Sequence, residues 1–130
     1  WSMGAELVYG HQDGDGKAST VDIINGPGFD GAHWWGANAV LTYQQRPDLS
    51  WSVRAEHFAD PDGFILLPVS TARGDFNALT AGLRYDLNKY ISLRPEVRYD
   101  VFDGNADDHP FGAGRDRTQL TGLVEALVYF

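Results

Sequence analysis

The sequence predicts an all-β fold whose antiparallel strands follow one another up and down in chain order. Apolar and polar residues alternate with period two in six segments, and no segment has the period of an amphipathic helix. Turn-forming residues separate the segments in connections that are alternately long and short. The predicted strands cover residues 1–12, 33–45, 49–60, 75–87, 90–102 and 117–130.

The connections are of two kinds. Residues 46–48 ("RPD") and 88–89 ("NK") are tight turns, whereas residues 13–32, 61–74 and 103–116 are long and rich in Gly, Asp and Pro. An up-and-down strand order places the three long loops together at one end. These loops contain nine aspartates and three basic residues, so the loop end is predicted to be acidic.

The first three strands carry apolar residues at odd positions and polar residues at even positions, so each strand has one apolar face. The apolar positions are Met3, Ala5, Leu7, Tyr9, Trp35, Ala37, Ala39, Leu41, Tyr43, Leu49, Trp51, Val53, Ala55 and His57. The opposite positions include Glu6, Asn38, Thr42, Ser52, Arg54 and Glu56.

The last three strands follow the same rule, most clearly in "LRPEVRYD" (93–100), where four apolar or aromatic residues alternate with four charged ones. Pro95 in this strand has no N–H to donate, so a local bulge is expected there. The apolar positions are Leu79, Ala81, Leu83, Tyr85, Leu87, Ile91, Leu93, Pro95, Val97, Tyr99, Val101, Leu120, Gly122, Val124, Ala126, Val128 and Phe130. The opposite positions include Thr80, Arg84, Asp86, Ser92, Arg94, Glu96, Arg98, Asp100, Gln119, Thr121 and Glu125.

The aromatic residues indicate which environment the apolar face meets. Alternation alone is compatible with a soluble barrel or sandwich and with a membrane barrel. The large rings, however, fall near both strand ends, with smaller aliphatic residues between them, which is typical of a lipid-facing band with two aromatic girdles. The predicted girdle residues are Tyr9, Trp35, Tyr43, Trp51, Tyr85, Tyr99 and Phe130.

If lipid covers the apolar face, the opposite face lines a wet lumen. The fold class is then an antiparallel up-and-down transmembrane β-barrel, and residues 1–130 form a single six-stranded barrel segment. Arginines and carboxylates two residues apart can interact along and across strands and set a local field for ions. The predicted lumen-lining residues are Arg54, Glu56, Arg84, Asp86, Arg94, Glu96, Arg98 and Asp100.

The composition excludes several other classes of protein. A net charge of −8 argues against nucleic acid as a partner, and the absence of cysteine excludes disulfides and thiol chemistry. No run of about 18 apolar residues predicts a transmembrane helix, although membrane strands need only about 9 to 11 alternating residues. The chain starts at Trp1 without signal-peptide features, so any export signal is expected to lie outside it.

No motif indicates catalysis or a cofactor. A nucleophile elbow, an HExxH motif and a phosphate loop are all missing, so no catalytic residue and no enzyme activity are predicted. "DGDG" (13–16) and "DPDG" (60–63) could bind calcium, but tight Asp-Gly turns are the favoured interpretation because EF-hand spacing is missing. The histidines lack metal-ligand spacing and are interpreted as structural or interfacial: His11, His33, His57 and His109.

Three ordered motifs carry a family resemblance: "RAEHFADPDGF" (54–64), "LRPEVRYD" (93–100) and the ending "GLVEALVYF" (122–130). They resemble the last strands of the OmpL-like family of putative β-barrel porins of bacterial outer membranes, over roughly residues 33–130. The resemblance implies an integral outer-membrane barrel of Gram-negative bacteria with a porin-like diffusion role. Phe130 also resembles the terminal signal that barrel-assembly machinery recognises.

Six strands are fewer than the 8 with which single-chain membrane barrels begin. We therefore expect the C-terminal portion of a larger barrel, or one subunit of a shared barrel. Its partners would be the lipid bilayer and the remaining strands, from the same precursor or another chain. The expected function is a porin-like channel for ions or small solutes. Two alternatives stay open: a structural outer-membrane barrel that holds a lumen or periplasmic protein partner, and a soluble β-barrel that binds a small apolar ligand.

Overall fold

The structure is a computed structural model that describes residues 1–14, 31–65, 73–105 and 107–130. All six strands lie in one antiparallel sheet whose spatial order is the chain order. The strands are β1 (Ser2–Asp13), β2 (Gly31–Arg46), β3 (Leu49–Asp60), β4 (Gly74–Asn88), β5 (Ile91–Gly104) and β6 (Thr118–Val128). The predicted all-β, up-and-down fold is therefore confirmed, and the predicted strand ends differ from these by a few residues at most.

The sheet is open. In the described residues β1 pairs with β2 alone and β6 pairs with β5 alone, so each leaves one edge without a neighbour. The open edges agree with the expectation that these strands are part of a larger barrel. No helix within the described ranges is long and apolar enough to cross a membrane.

The two short turns close β2–β3 and β4–β5 at the same end of the sheet. Pro47 and Asp48 form the first turn, and Lys89 and Tyr90 form the second. A bulge precedes each turn, because the pairing register shifts between Gln44 and Arg46 and between Asp86 and Asn88. Bulges of this kind bend the strand and increase its twist where it leaves the sheet. The long connections all leave from the opposite end, as predicted.

The expectation of a bulge at Pro95 is wrong. The β4–β5 register is the same on both sides of the proline, from Gly82 opposite Glu96 to Tyr85 opposite Leu93. The ladder is interrupted there without a shift, while pairing with β6 continues through Val124. A missing N–H removes a hydrogen bond but adds no residue, so the strand keeps its alternation through Pro95.

Burial is distributed in the opposite way from a water-soluble domain. Ala32, Ala59 and Phe102 are the buried apolar side chains of the described residues, whereas aliphatic residues in the middle of the strands are exposed. Val97 is 52% exposed and Leu79 is 55% exposed. The polar residues Thr80 and Ser92, on the other face, are 3% and 2% exposed. The packed side of this sheet is therefore its polar side.

Candidate functional site

The eight predicted lumen-lining residues share one face of the sheet. Pairing partners in adjacent strands point to the same side, and the register aligns Arg54, Thr80 and Arg98 across β3, β4 and β5. The next row toward the loops aligns Glu56, Ala78 and Asp100. We call this side the polar face and the other side the apolar face. Charges of opposite sign thus form neighbouring rows across three strands.

A charge network crosses the polar face over β4. Arg98 Nη1 donates a hydrogen bond to Glu56 Oε2, although β3 and β5 are not neighbours in the sheet. The small residue Ala78 and the short side chain of Thr80 leave room for this contact, because they stand between the two strands on the same face. Arg98 Nε also donates to Asp100 Oδ1 at 2.8 Å, and Arg54 Nε lies 3.4 Å from Glu56 Oε2.

A second group of charges lies nearer the short turns. Arg84 Nε donates to Asp86 Oδ1 at 3.0 Å, and the Ser92 hydroxyl donates to the same carboxylate oxygen. Arg94 Nη1 donates to Glu125 Oε2 at 3.1 Å, which ties β5 to β6. The strands thus hold their charged side chains in fixed pairs on the polar face.

Glu96 differs from the other seven predicted residues, because it forms no ion pair within the described part of the chain. It is half-buried and lies in register with Gly82, whose lack of a side chain leaves space above the sheet. Glu96 is thus a carboxylate without a compensating cation in the middle of the polar face.

Two further acidic residues, which the sequence placed on the polar face but which are not among the eight predicted lining residues, lie on it in the structure. Glu6 accepts a hydrogen bond from Asn38 at 2.9 Å, and Glu125 pairs with Arg94. With them, the middle of the polar face holds more carboxylates than arginines. The arginines are Arg54, Arg84, Arg94 and Arg98, and the carboxylates are Glu6, Glu56, Asp86, Glu96, Asp100 and Glu125.

An aromatic row, which the sequence interpretation missed, crosses the same face at the loop end. It consists of Phe58, Phe76 and Phe102, which are aligned in register across β3, β4 and β5. This row is the next one toward the loops after the row of Glu56, Ala78 and Asp100, which we call the acidic row. The rings of Phe76 and Phe102 have centroids 4.7 Å apart. The signal was present in the sequence, because these phenylalanines occupy even positions that are polar elsewhere in their strands.

Four of the predicted girdle residues form neighbouring pairs on the apolar face. Tyr9 is in register with Trp35, and Tyr43 with Trp51. Trp51 Nε1 donates to Gln45 Oε1 at 2.8 Å, so its polar edge has a partner. Tyr99 and Phe130 are exposed and Tyr85 is half-buried. Trp1, which the prediction omitted, packs against Tyr43 with ring centroids 4.4 Å apart.

The "DPDG" motif forms a turn. Asp60 is fully buried and its carboxylate accepts hydrogen bonds from the N–H groups of Phe64 and Ile65, both at 2.9 Å. Gly63, with φ of 67°, donates its N–H to the Asp60 carbonyl at 3.0 Å. This supports the turn interpretation. Half of "DGDG" (15–16) lies outside the described residues, and within them no three His, Cys, Asp or Glu side chains gather as a metal site would require.

The histidines are held in structural contacts. His57, on the apolar face, has Nδ1 2.8 Å from Asn77 Oδ1 and packs against Trp35 with ring centroids 4.5 Å apart. His33 Nδ1 lies 3.1 Å from Asp62 Oδ2, which connects the start of β2 to the β3–β4 loop. His11 pairs with the neighbouring Asp13 at 2.8 Å.

One family model matches the chain over its whole length. It is described as "putative beta-barrel porin-2, OmpL-like" and covers residues 1–130, which extends the resemblance seen in the three motifs to the first strand. No curated protein and no solved structure is significantly similar to the chain.

Proposed function

We propose that this chain, which belongs to the OmpL-like β-barrel porin family of bacterial outer membranes, forms part of the wall of a cation-preferring diffusion channel. Its apolar face meets lipid and its polar face lines the water-filled lumen. Membership of an outer-membrane family is not compatible with the soluble ligand-binding alternative. The remaining strands of the barrel come from the same precursor or from another chain.

The inverted burial carries this proposal. Large apolar side chains at mid-strand, such as Val53 and Val124, are 48% and 71% exposed on a face without any covering element in the described chain. A contiguous apolar surface of this extent is unstable in water and is normal in the hydrocarbon core of a membrane. The ionised side chains, conversely, need the water and the partners that a lumen provides.

The excess of carboxylates supports cation preference. Paired arginines and carboxylates largely cancel each other, so the remaining field depends on the charges left over. Glu96 is the clearest of these because it lies in the middle of the face without an ion pair. Rings of acidic side chains favour cations in channels. The acidic loops should also attract cations to the entrance at the loop end of the lumen.

Planar-bilayer recording of the native barrel, complete with all its strands, tests the proposal. We expect stable conductance steps and a reversal potential in a KCl gradient that indicates cation preference. The double substitution Arg94→Glu and Arg98→Glu should increase that preference, while Arg115→Glu in the exposed β5–β6 loop serves as the matched control with a smaller effect. A folded native barrel without conductance would contradict the channel, and an unchanged reversal potential in the double variant would contradict the assigned lining.

A second candidate, a barrel that holds a protein partner in its lumen, is favoured by the polar side of β6. Leu123 is 59% exposed there, and Tyr129, just beyond the end of β6, is 48% exposed and lines a cleft with Leu123 and Glu96, so apolar side chains point toward the proposed lumen. A partner seated against them would exclude water and block ions. Purification of a stoichiometric partner from native membranes, together with conductance that appears only after its removal, would favour this candidate over an open channel.

A further inference from the structure

We propose that the narrowest part of the channel is an aromatic collar at the loop end of the polar face, formed by strand residues together with one phenylalanine from each of two loops. This inference rests on the proposed function, because it requires the polar face to line the lumen. The collar consists of Trp34, Phe58, Phe76 and Phe102 from the strands, with Phe64 and Phe111 from the loops.

The strand residues of the collar lie against the sheet because glycines leave space for them. A Cβ atom at Gly10 would lie 2.1 Å from Trp34 Cε2, and one at Gly36 would lie 3.2 Å from Phe58 Cδ2. A Cβ atom at Gly104 would lie 2.3 Å from Phe102 Cζ. Aromatic rings often cover glycines in strands. At its loop end, therefore, the polar face carries a layer of aromatic rings instead of charged side chains.

The β3–β4 loop attaches to this layer through Phe64. Its ring stacks on Trp34 with centroids 5.4 Å apart and planes 18° from parallel. The buried Asp60 carboxylate holds the backbone of Phe64 in place through its N–H at 2.9 Å. Phe64 is consequently held over the polar face through both its backbone and its side chain.

The β5–β6 loop attaches through Phe111. Its ring meets Phe76 edge to face with centroids 6.3 Å apart. A compact turn fixes Phe111, because its N–H donates to the Asp116 carbonyl at 3.0 Å and its own carbonyl accepts from Gly114 N–H at 3.0 Å. One loop thus places a ring on Trp34 and another places a ring on Phe76, both at the loop end of the polar face.

Arg117 adds a guanidinium group to the collar, and Asp103 compensates part of its charge, because Arg117 Nη2 lies 3.6 Å from Asp103 Oδ1. Its guanidinium carbon lies 5.6 Å from the centre of the Phe102 ring, and Nη2 donates to the Gly104 carbonyl at 3.0 Å. An apolar ring of side chains raises the cost of passing a hydrated ion, because such ions lose water contacts in the constriction. A solute that enters from the loop end would therefore meet the collar before the acidic row.

Polymer exclusion in planar bilayers measures the constriction. We expect Phe111→Ala and Phe64→Ala each to raise the single-channel conductance and to let larger polyethylene glycols enter from the loop side. Tyr99→Ala removes a ring of similar size from the apolar face and should leave the polymer cut-off unchanged. Heat-modifiable gel mobility would establish that each variant is folded.

The outcomes separate this inference from the proposed function. Absence of conductance in the native barrel would overturn the proposed function. A conducting native barrel whose conductance and polymer cut-off are the same in both collar variants would overturn the collar as the constriction and leave the channel intact. A higher cut-off in the collar variants, with none in Tyr99→Ala, would support it.

A labelling experiment gives an independent test in the folded protein. The chain has no cysteine, so Ser52→Cys introduces a single thiol on the polar face, on the short-turn side of the collar. From the loop side, a small methanethiosulfonate should modify it faster than a bulky one, and Phe111→Ala should reduce the difference. Equal rates for both reagents in the presence of Phe111 would overturn the collar as the constriction.

Discussion

The two faces of this sheet differ in what they bury. On the apolar face, Val53, Leu79 and Val97 are each about half exposed, and no described element covers them. On the polar face, even the polar side chains Asp60, Thr80 and Ser92 are at most 3% exposed, and the Arg98–Glu56 contact bridges over β4. The interior of this molecule is therefore the polar side, and the environment of the apolar side is lipid rather than water.

A charge placed on each face in turn should give the largest difference between them. We expect Val53→Arg to lower the free energy of unfolding in lipid by about 2–4 kcal/mol, the cost of an arginine at the bilayer midplane on the lipid side of a barrel. Ser52→Arg, one residue away on the polar face, should cost much less because its charge remains in water. Urea titration of the barrel folded in lipid vesicles measures both. Equal costs would mean that the two faces do not meet different solvents.

Removing the deepest carboxylate should give the next largest effect. Asp60→Ala leaves the N–H groups of Phe64 and Ile65 without their acceptor, so we expect a loss of about 1–3 kcal/mol in the same titration. Asp107→Ala, at an exposed loop position, is the matched control and should change stability little. An unchanged stability in Asp60→Ala would show that this buried turn does not support the polar side.

Within the polar face, the carboxylate without an ion pair should affect ion preference. Glu96→Gln removes a negative charge and keeps the shape, so the reversal potential should move toward lower cation preference. Glu125→Gln also removes one negative charge and leaves Arg94 without its counter-charge, so we expect a shift in the same direction and of similar size. Recordings at low and high salt check the origin of both shifts, because added salt screens such fields. A Glu96→Gln channel with the native reversal potential would contradict the role of Glu96.

Two glycines should give the smallest effects, again divided by face. In Gly10→Ala, on the polar face, the added methyl group would clash with the Trp34 ring. We therefore expect the free energy of unfolding to fall by about 1 kcal/mol or more from overpacking. Gly122→Ala on the apolar face has no atom within 4 Å of the added carbon and should change stability by less than about 0.5 kcal/mol. The same vesicle-based titration compares them. A larger loss in Gly122→Ala than in Gly10→Ala would contradict the packing at Trp34.

The sequence predicted the strands and their faces because period-two alternation is a local property. It also predicted which charges share a face, since every residue in a strand keeps its side once the register is set. The contact between Arg98 and Glu56 could not be predicted in this way, because it depends on the small residues of the strand between them. The bulge expected at Pro95 was wrong because loss of one donor does not require an extra residue.

The aromatic collar was missed for a different reason. Phe58, Phe76 and Phe102 break the alternation at the loop ends, where polar and apolar positions are less regular, and their alignment appears only when the register of three strands is known. The contacts of Phe64 and Phe111 depend on loop conformation, which no periodicity encodes. Sequence patterns therefore predicted which charged residues share the middle of the polar face. The aromatic contacts at its loop end could be identified only in the structure.

The central claim is that adjacent residues of one strand face water and lipid in turn, and single-cysteine labelling in native outer membranes tests it most directly. Ser52→Cys should react with a small membrane-impermeant thiol reagent, whereas Val53→Cys should resist it and react with a lipid-soluble maleimide. The absence of native cysteines removes background labelling. Reaction of Val53→Cys with the impermeant reagent, with Ser52→Cys protected from it, would contradict the assignment of the two faces.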